Sequence, residues 1–469
     1  MNRRAVVIVA CMGGLLGGLD TSVNIAFPDI TASFDIDVAQ IQWVVVSFVL
    51  TYSVLLLPAG RLGDRYGHGR VLLIGTVTQI FAFVACAASP SFGLFLISRV
   101  LQGVAMALIL GTSPALVTLS VSHEKQPRAL GLYAMFSATG LAMGAPIGGL
   151  LLLKWSWPSV YLFRVPYSVL LLFAALSCGL ARRPKQQNEQ PLDLAGALTL
   201  ALGLGLTLFV ASRGLDWGWF APVTIALIAT AAIVLFVFVV IERKADQPLI
   251  DIALFRIAGF ARANVLNALA NASMFSIWFL GPYLLVDVRG QDSIEGGLLL
   301  GITPTFTALA AWLAGKYVTK FGLLGLSRFG LFSQGIGLLF FSRAGAETST
   351  PFLVVALAIV GIGLGSFQVP NMSFVMGSIP RSQQGVAGGM TQMTRTVGLV
   401  AGLAIWNTAF VGLRKRRSDA LGIEELIAPE VFVPTFAEVV GLSGLLAMIG
   451  LTLTIGTTFD NKIKLPVER

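Results

Sequence analysis

The sequence has few charged, thiol and imidazole side chains for its length. Only 12% of the 469 residues are Asp, Glu, Lys or Arg, whereas soluble proteins carry about 25%. This composition excludes an ordinary soluble globular protein. The cysteines, Cys11, Cys86 and Cys178, lie far apart within apolar runs. We therefore expect small core residues there and neither a disulfide framework nor a metal site.

Nucleotide-binding and catalytic patterns are also missing. No Gly-x-x-x-x-Gly-Lys-Ser/Thr loop is present, so ATP hydrolysis by this chain is not expected. The two histidines, His68 and His123, fall in predicted loops and belong to no catalytic or metal-binding pattern. The net charge of +9 comes from basic residues in short loops beside apolar runs, which does not indicate nucleic-acid binding. We expect no enzyme, cofactor or nucleic-acid partner.

Long apolar runs dominate the sequence, which is 56% hydrophobic with a mean hydropathy of +0.83. A helix needs about 20 such residues to cross a bilayer. The first run is too long for a signal peptide and is taken as a retained helix. The sequence thus predicts an all-α polytopic membrane protein with fourteen transmembrane helices, at about 5–27, 41–60, 71–89, 92–119, 128–153, 158–181, 194–212, 221–241, 260–287, 295–315, 325–343, 351–378, 385–411 and 435–458.

Basic residues in the short loops predict the orientation, because they accumulate on the cytoplasmic side. Both termini are then cytoplasmic, in a multi-pass protein of the cell membrane. The basic residues that lead to this orientation are Arg3, Arg4, Arg61, Arg65, Arg70, Arg182, Arg183, Lys185, Lys316, Lys320 and Arg328; the acids on the opposite side are Asp29, Asp35, Asp37, Asp287, Asp292 and Glu295. Arg414–Arg417 falls outside, and we expect a surface hairpin balanced by Glu424, Glu425 and Glu430.

A charged turn, Gly60–Arg70, follows the second predicted helix, and a fainter copy, Gly315–Gly322, has Thr319 in place of the acid. The repeat predicts a duplicated transporter with a six-helix bundle at 1–185, a two-helix insertion at 186–256 and a second six-helix bundle at 257–469. Asp64 could accept hydrogen bonds from helix N-terminal amides or from an arginine, forming a cytoplasmic latch; a solvated loop is the alternative. The predicted latch residues are Gly60, Asp64, Arg65, Gly67 and Arg70.

At these residues the chain resembles the major facilitator superfamily, and in particular its fourteen-helix drug/proton antiporter branch. The resemblance lies in Gly60–Arg70, in Leu19–Pro28 of the first helix, in Arg99–Gly103 of the fourth and in Gly140–Gly149 of the fifth. It implies the superfamily fold and associates Arg99 with proton coupling. The fifth helix resembles the antiporter motif through Gly140, Gly144, Pro146, Gly148 and Gly149, although its proline stands one position later than in the family.

Charges inside membrane helices are expensive and therefore indicate functional sites. Asp20, Arg99 and Arg164 share a predicted depth of about 10 Å below the outer surface. Asp20 is predicted to exchange a proton while Arg99 tunes its proton affinity, and a static ion pair is the alternative. Asn24 either joins this network or bonds a neighbouring helix.

Arg164 and a near-central Arg395 give the interior three cations against one acid. This balance favours neutral, zwitterionic or anionic cargo, with Arg395 contacting substrate or forming a gate. The alternatives are that Arg164 extends to the outer interface and that Arg395 is structural.

One face of the ninth predicted helix carries Asn264, Asn267, Asn271, Phe275 and Trp278 at helical spacing. Amides beside aromatics suit a cavity wall for an amphipathic molecule, and interhelical hydrogen bonding is the alternative. Facing helices could add Gln368, Asn371, Met390 and Met393.

Together these features predict a proton-coupled secondary active transporter that exports a small amphipathic compound or drug. Proton-linked uptake or facilitated transport of a neutral or anionic metabolite is the alternative. The expected partners of the protein are its substrate, protons and the lipid bilayer. We expect a monomer whose transport is driven by the proton gradient.

Overall fold

A computed structural model describes residues 3–36, 40–181, 193–245, 248, 254–255, 259–291, 293–422 and 428–454. All regular structure in these ranges is helical. The α-helices are α1 (Arg3–Gly18), α2 (Ser22–Ile25), α3 (Phe27–Phe34), α4 (Gln42–Tyr66), α5 (His68–Ala87), α6 (Phe92–Leu119), α7 (Gln126–Leu152), α8 (Ser159–Leu162), α9 (Arg164–Ser177), α10 (Leu194–Trp217), α11 (Pro222–Lys244), α12 (Phe260–Pro282), α13 (Ser293–Phe321), α14 (Leu323–Phe341), α15 (Thr350–Gly377), α16 (Gln384–Leu421) and α17 (Pro429–Thr452).

The chain is a multi-pass membrane protein: thirteen helical segments in the described ranges are long and apolar enough to span a bilayer. The fourth predicted helix, 92–119, coincides with α6. The remaining predicted span corresponds to α10, whose apolar part, Ala195–Ala211, is shorter than the about 20 residues needed. The fourteenth crossing therefore stays a prediction.

Two predicted spans are interrupted where they carry a charge. A 3₁₀ turn, Leu19–Thr21, separates α1 from α2 and contains Asp20. Phe163 separates α8 from α9, and Arg164 is the first residue of α9. Such breaks expose backbone groups, which membrane proteins tolerate only where they are covered by protein or line a cavity. Both interruptions therefore mark positions surrounded by other helices.

We call α1–α9 the N-half, α10 and α11 the insertion and α12–α17 the C-half; the division into two bundles with an insertion stays a prediction. The N-half contacts the C-half mainly through α4 against α16 and α7 against α13. The insertion helix α10 packs on both α4 and α16, and Trp219 Nε1 donates to Thr408 Oγ1 at 3.0 Å. The insertion therefore lies beside the junction of the two halves. The predicted boundaries at 185/186 and 256/257 fall outside the described residues.

The two copies of the glycine turn have matching geometry. Gly67 (φ 96°) ends α4 directly before α5, and Gly322 (φ 74°) does the same between α13 and α14; only glycine adopts such φ values readily. We call the end of the bundle that carries both turns the turn end. The first glycine of each copy touches the other half, because a Cβ on Gly60 would overlap Gly385 and one on Gly315 would overlap Pro127.

The segment Arg414–Arg417 differs from expectation. It lies in the last turns of α16 and forms no irregular hairpin. At 38 residues, α16 is about 57 Å long, so it extends beyond a hydrocarbon core of about 30 Å. Arg417 pairs with Glu438 of α17 at 2.6 Å, an acid that the prediction did not include. Asp37, Arg182, Arg183, Lys185, Asp292, Glu424 and Glu425 lie outside the described residues.

Candidate functional site: a buried carboxylate between two arginines

The structure brings Asp20, Arg99 and Arg164 together. Arg99 holds the carboxylate with two parallel bonds, Nη1 to Oδ1 and Nη2 to Oδ2, both at 3.2 Å. Arg164 Nη1 donates to Oδ1 at 2.6 Å, and Gln102 Nε2 donates to the same oxygen at 2.7 Å. Since four donor contacts converge on the two oxygens, this arrangement suits the ionised carboxylate and leaves no acceptor position open on Oδ1.

Aromatic rings surround both guanidinium groups. Arg99 lies 4.5 Å from the ring centroid of Phe48, and Arg164 lies 4.3 Å from Phe83 and 5.0 Å from Tyr161. Arg99 is 1% exposed and Arg164 is fully buried, so Arg164 does not extend to the outer interface. Cation–π contacts and the shared carboxylate together stabilise two arginines where a lone charge would be costly.

Glycines of α7 position the turn that carries Asp20. A Cβ on Gly140 would overlap the Leu15 carbonyl, one on Gly144 would overlap Thr21, and one on Gly148 would lie 2.7 Å from the Ser22 carbonyl. The α7 backbone therefore packs directly on α1, the 3₁₀ turn and α2. At Gly149, by contrast, a Cβ would meet no atom within 4 Å, and α7 continues through Pro146 to Leu152.

The Asp64 carboxylate caps α16 of the opposite half. Its Oδ1 accepts from the Gly385 amide at 2.8 Å and its Oδ2 from the Val386 amide at 3.1 Å. This is one of the two arrangements expected from the sequence, a carboxylate at a helix N-terminus. Arg65 instead lies over the Tyr66 ring at 5.0 Å. Arg70 Nε donates to the Ala181 carbonyl at 3.0 Å within its own half.

Sequence reasoning missed two contributors. Gln102 accepts from Arg99 Nη1 at 2.7 Å while donating to Asp20, and its place three residues after Arg99 in the same helix was the available signal. His68 was assigned to a loop, yet it starts α5, is 8% exposed and places Nε2 3.2 Å from Asp64 Oδ1. The i, i+4 spacing of Asp64 and His68 was the signal for this contact. The predicted loop is absent, because Gly67 alone separates α4 from α5.

The amide face of α12 faces α16. Asn267 Nδ2 donates to the Thr391 carbonyl and to Thr394 Oγ1, both at 2.8 Å. Asn271 Nδ2 donates to the Asn267 carbonyl at 2.7 Å, and both side chains are buried. In this conformation Asn267 therefore takes part in helix–helix contact, the alternative to a cavity wall, whereas Asn271 bonds within α12. Phe275 and Trp278 are half-buried farther along α12.

Arg395 lies beside the last side-chain hydrogen bonds that link α16 to the N-half within the described residues. Gln392 Nε2 donates to Tyr133 Oη at 3.0 Å, and Thr396 Oγ1 donates to Tyr52 Oη at 3.5 Å. These are the last hydrogen bonds between the halves along α16 within the described residues, about 18 Å from its start at Gln384. Arg395 is half-buried there and forms no ion pair or hydrogen bond within the described part of the chain.

The other predicted cavity residues are dispersed. Gln368 is half-buried on α15, Asn371 is buried with no hydrogen-bond partner for Oδ1 among the described residues, and Met390 is buried on α16. Asn24 is exposed on α2 and makes no bond to Asp20 within the described contacts. The structure thus joins Asp20, Arg99 and Arg164 into one site and leaves the predicted cavity residues around it unconnected.

Comparison with known proteins agrees with this architecture. The family model described as Major Facilitator Superfamily matches residues 9–403. The multidrug resistance protein Stp of Mycobacterium tuberculosis is 29% identical over 414 residues, covering 86% of this chain and 76% of that protein. The riboflavin transporter RibZ of Clostridioides difficile is 26% identical over 406 residues, covering 86% and 88%.

Solved structures share the fold at low identity. The human organic anion transporter MFSD10 (TETRAN) superposes with a TM-score of 0.69 at 14% identity, covering 97% of this chain and 100% of that chain. The proton:xylose symporter XylE superposes with a TM-score of 0.62 at 13% identity, covering 95% of this chain and 94% of that chain. At these identities the likeness extends to the fold alone.

Proposed function

Because the chain belongs to the Major Facilitator Superfamily, we propose that it is a proton-coupled secondary active transporter that exports a small amphipathic organic compound by alternating access. The observation that carries this proposal is Asp20, a carboxylate 14% exposed between two buried arginines. Several relatives are named for drug resistance, among them Stp and the tetracenomycin C resistance and export protein of Streptomyces glaucescens. These names support export as the direction of transport.

The proposed coupling uses the movement of the two guanidinium groups. In the conformation described, Arg99 and Arg164 both pair with the Asp20 carboxylate and favour its charged form, so a proton binds more readily after one of them withdraws. Arg99 also donates from Nε to the Val44 carbonyl of α4 at 2.9 Å. Rearrangement of α4 during rocking would therefore change the contacts of Arg99 and the proton affinity of Asp20.

The turn end is proposed to face the cytoplasm of a cell membrane, with both termini on that side and the protein acting as a monomer. Asp64 and the Gly60–Gly385 contact then close the cytoplasmic end, and Arg395 lies at the inner limit of an outward-facing opening. Fourteen crossings, with α10 and α11 as the inserted pair, complete the proposed arrangement.

The charge balance supports a second candidate, proton-linked uptake or facilitated transport of a neutral or anionic metabolite. Asp20, Arg99 and Arg164 sum to one positive charge, and Arg395 adds another. A lipophilic cation entering this interior would meet repulsion. The riboflavin transporter relative fits this second candidate.

Transport in proteoliposomes with an imposed pH gradient tests the coupling. An exporter should dissipate the gradient when cargo is added to inside-out vesicles, and Asp20→Asn should abolish this loss while Asp29→Asn, a change of an exposed acid on α3, should not. Proton coupling that survives in Asp20→Asn would contradict the assignment. Accumulation in right-side-out vesicles under external acid would favour uptake.

A panel of tetraphenylphosphonium, riboflavin and fluorescein then tests the charge of the cargo. We expect stronger transport of the neutral and anionic compounds, and a gain for the cation in Arg164→Asn. Robust transport of tetraphenylphosphonium by the unmodified protein would contradict the charge argument.

A further inference from the structure

An apolar groove lies on the exposed side of the C-half, between α13, α14 and α15 and near the turn end. Its volume is about 350 Å³, and its lining is almost entirely aliphatic and aromatic. Leu313, Tyr317 and Phe321 of α13 contribute one wall and are each at least 41% exposed, while Phe329 of α14 contributes the opposite wall. An exposed apolar surface on a membrane-spanning helix faces lipid hydrocarbon.

Two lysines border this groove. The Lys316 Nζ lies 5.3 Å from the ring centroid of Tyr317, and the Lys320 Nζ lies 5.5 Å from that of Phe321; both rings line the groove. Both lysines are exposed, and neither forms an ion pair within the described residues. They stand five and one residues before the end of α13 at Phe321, within about 8 Å of it, so their ammonium groups reach the headgroup region.

We propose that this groove binds an anionic phospholipid, with an acyl chain between α13 and α14 and the headgroup phosphate on Lys316 and Lys320. The apolar lining accepts hydrocarbon, and the two adjacent ammonium groups favour a headgroup of net negative charge over a zwitterionic one. The aromatic rings beneath the lysines fix the ammonium groups at the edge of the groove. Hydrocarbon and charge are thus recognised by adjoining parts of one site.

The position of the site links lipid binding to conformation. Gly315, the residue before Lys316, touches α7 of the N-half, with the Gly131 Cα 3.0 Å and the Arg128 Cα 3.3 Å from where its Cβ would stand. Arg128 is itself exposed, so basic residues of both halves flank this contact. A bound phosphate reduces their mutual repulsion and therefore favours the conformation in which α7 and α13 touch.

Native mass spectrometry of the full chain tests the proposal, using detergent-solubilised protein mixed with equal amounts of phosphatidylglycerol and phosphatidylcholine. We expect phosphatidylglycerol to be retained at least threefold more than phosphatidylcholine. Lys316→Gln with Lys320→Gln should remove this preference, and Leu313→Trp, which fills the groove, should reduce retention of both lipids. Arg243→Gln with Lys244→Gln is the control, because it removes two exposed basic residues from the end of α11.

Equal retention of the two lipids, or a preference that persists in the double lysine variant, would overturn the proposal. It would also be overturned by a dimer that Leu313→Trp dissociates, because the groove would then hold a second copy of the chain. Circular dichroism of each variant shows whether it is folded. A folded Leu313→Trp with unchanged retention of both lipids counts against the groove as the acyl-chain site.

Discussion

The carboxylate of Asp64 accepts a hydrogen bond from the Gly385 amide at 2.8 Å, joining the end of α4 to the first turn of α16 across 321 residues of sequence. A second bond to the Val386 amide uses the other oxygen. The N-terminal amides of α16 lack intrahelical partners, and the helix dipole favours a negative charge there. One aspartate of the N-half thus satisfies two amides of the C-half and fixes the turn end in a closed arrangement.

Asp64→Asn should open the turn end. The variant loses the charge and one of the two acceptors, so the closed conformation should lose about 2 kcal/mol, roughly a thirtyfold shift in its population. Spin labels on Tyr66→Cys and Arg381→Cys, in a background without the three native cysteines, report the separation of the halves by pulsed electron resonance. The distance distribution should broaden towards longer values.

Asp29→Asn is the matched control for this experiment, because Asp29 is an exposed acid on α3, away from the α4–α16 contact. Its distance distribution should equal that of the unmodified protein. A distribution in Asp64→Asn that also remains unchanged would show that the glycine contacts, and not the carboxylate, hold this end closed.

Glycines of α7 offer a second matched pair. Gly144→Ala places a methyl group on Thr21, beside Asp20, whereas Gly149→Ala meets no atom within 4 Å. Because the backbones of α7 and the 3₁₀ turn must separate to accept the first change, Gly144→Ala should lower the melting temperature by several degrees and reduce transport at least tenfold. Gly149→Ala should match the unmodified protein in fluorescence-detected thermal unfolding, and equal effects of the two changes would contradict this packing.

Hydropathy and turn chemistry predicted much of the fold. Apolar run length located the helices and the glycine pattern located the two turns at Gly60 and Gly315, because these signals are local in sequence. That the turns belong to two related bundles stays a prediction. The interruption at Leu19–Thr21 escaped prediction because apolar residues continue on both sides of Asp20, and run length alone does not locate a break within a span. The extension of α16 beyond the bilayer was also not predicted, because the prediction ended the helix before its charged residues. The helix continues past them, and Arg417 near its end pairs with Glu438 of α17.

The candidate site was predicted in its charged members and missed in its neutral ones. Asp20, Arg99 and Arg164 could be found because charges in apolar runs are rare. Their geometry could not be derived, since it depends on the packing of three chain segments far apart in sequence. The stripe of Asn267 and Asn271 is ambiguous for a different reason, because an amide suits helix–helix contact and cargo equally, and only its neighbours distinguish the two.

Two buried glutamines test whether the Asp20 network stabilises the N-half. Gln102 bonds both Asp20 and Arg99, while Gln79 is fully buried with no partner for either amide atom among the described residues. Gln102→Leu should destabilise the protein by about 2 kcal/mol, because it removes hydrogen bonds to charged groups. Gln79→Leu should be neutral or stabilising, since it removes unpaired polar atoms from an apolar site. Thermal unfolding of the two variants in the same detergent compares their stabilities. Equal destabilisation would mean that the change in side-chain volume, and not the loss of hydrogen bonds, determines the stability change.

Arg395 provides the sharpest test of cargo charge, because it is a half-buried cation with no ion pair in the described part of the chain. If an anionic group of the cargo pairs with it, Arg395→Gln should raise the KM for fluorescein at least tenfold and leave the KM for riboflavin within twofold. Arg395→Lys keeps the charge but loses the planar fork of donors, so it should give an intermediate KM. A parallel loss for both compounds would instead indicate that Arg395 maintains the contact of α16 with Tyr52 and Tyr133. Fluorescence measurements of uptake into proteoliposomes distinguish the two, because a contact role changes the maximal rate for every cargo while a binding role changes the KM of the anion alone.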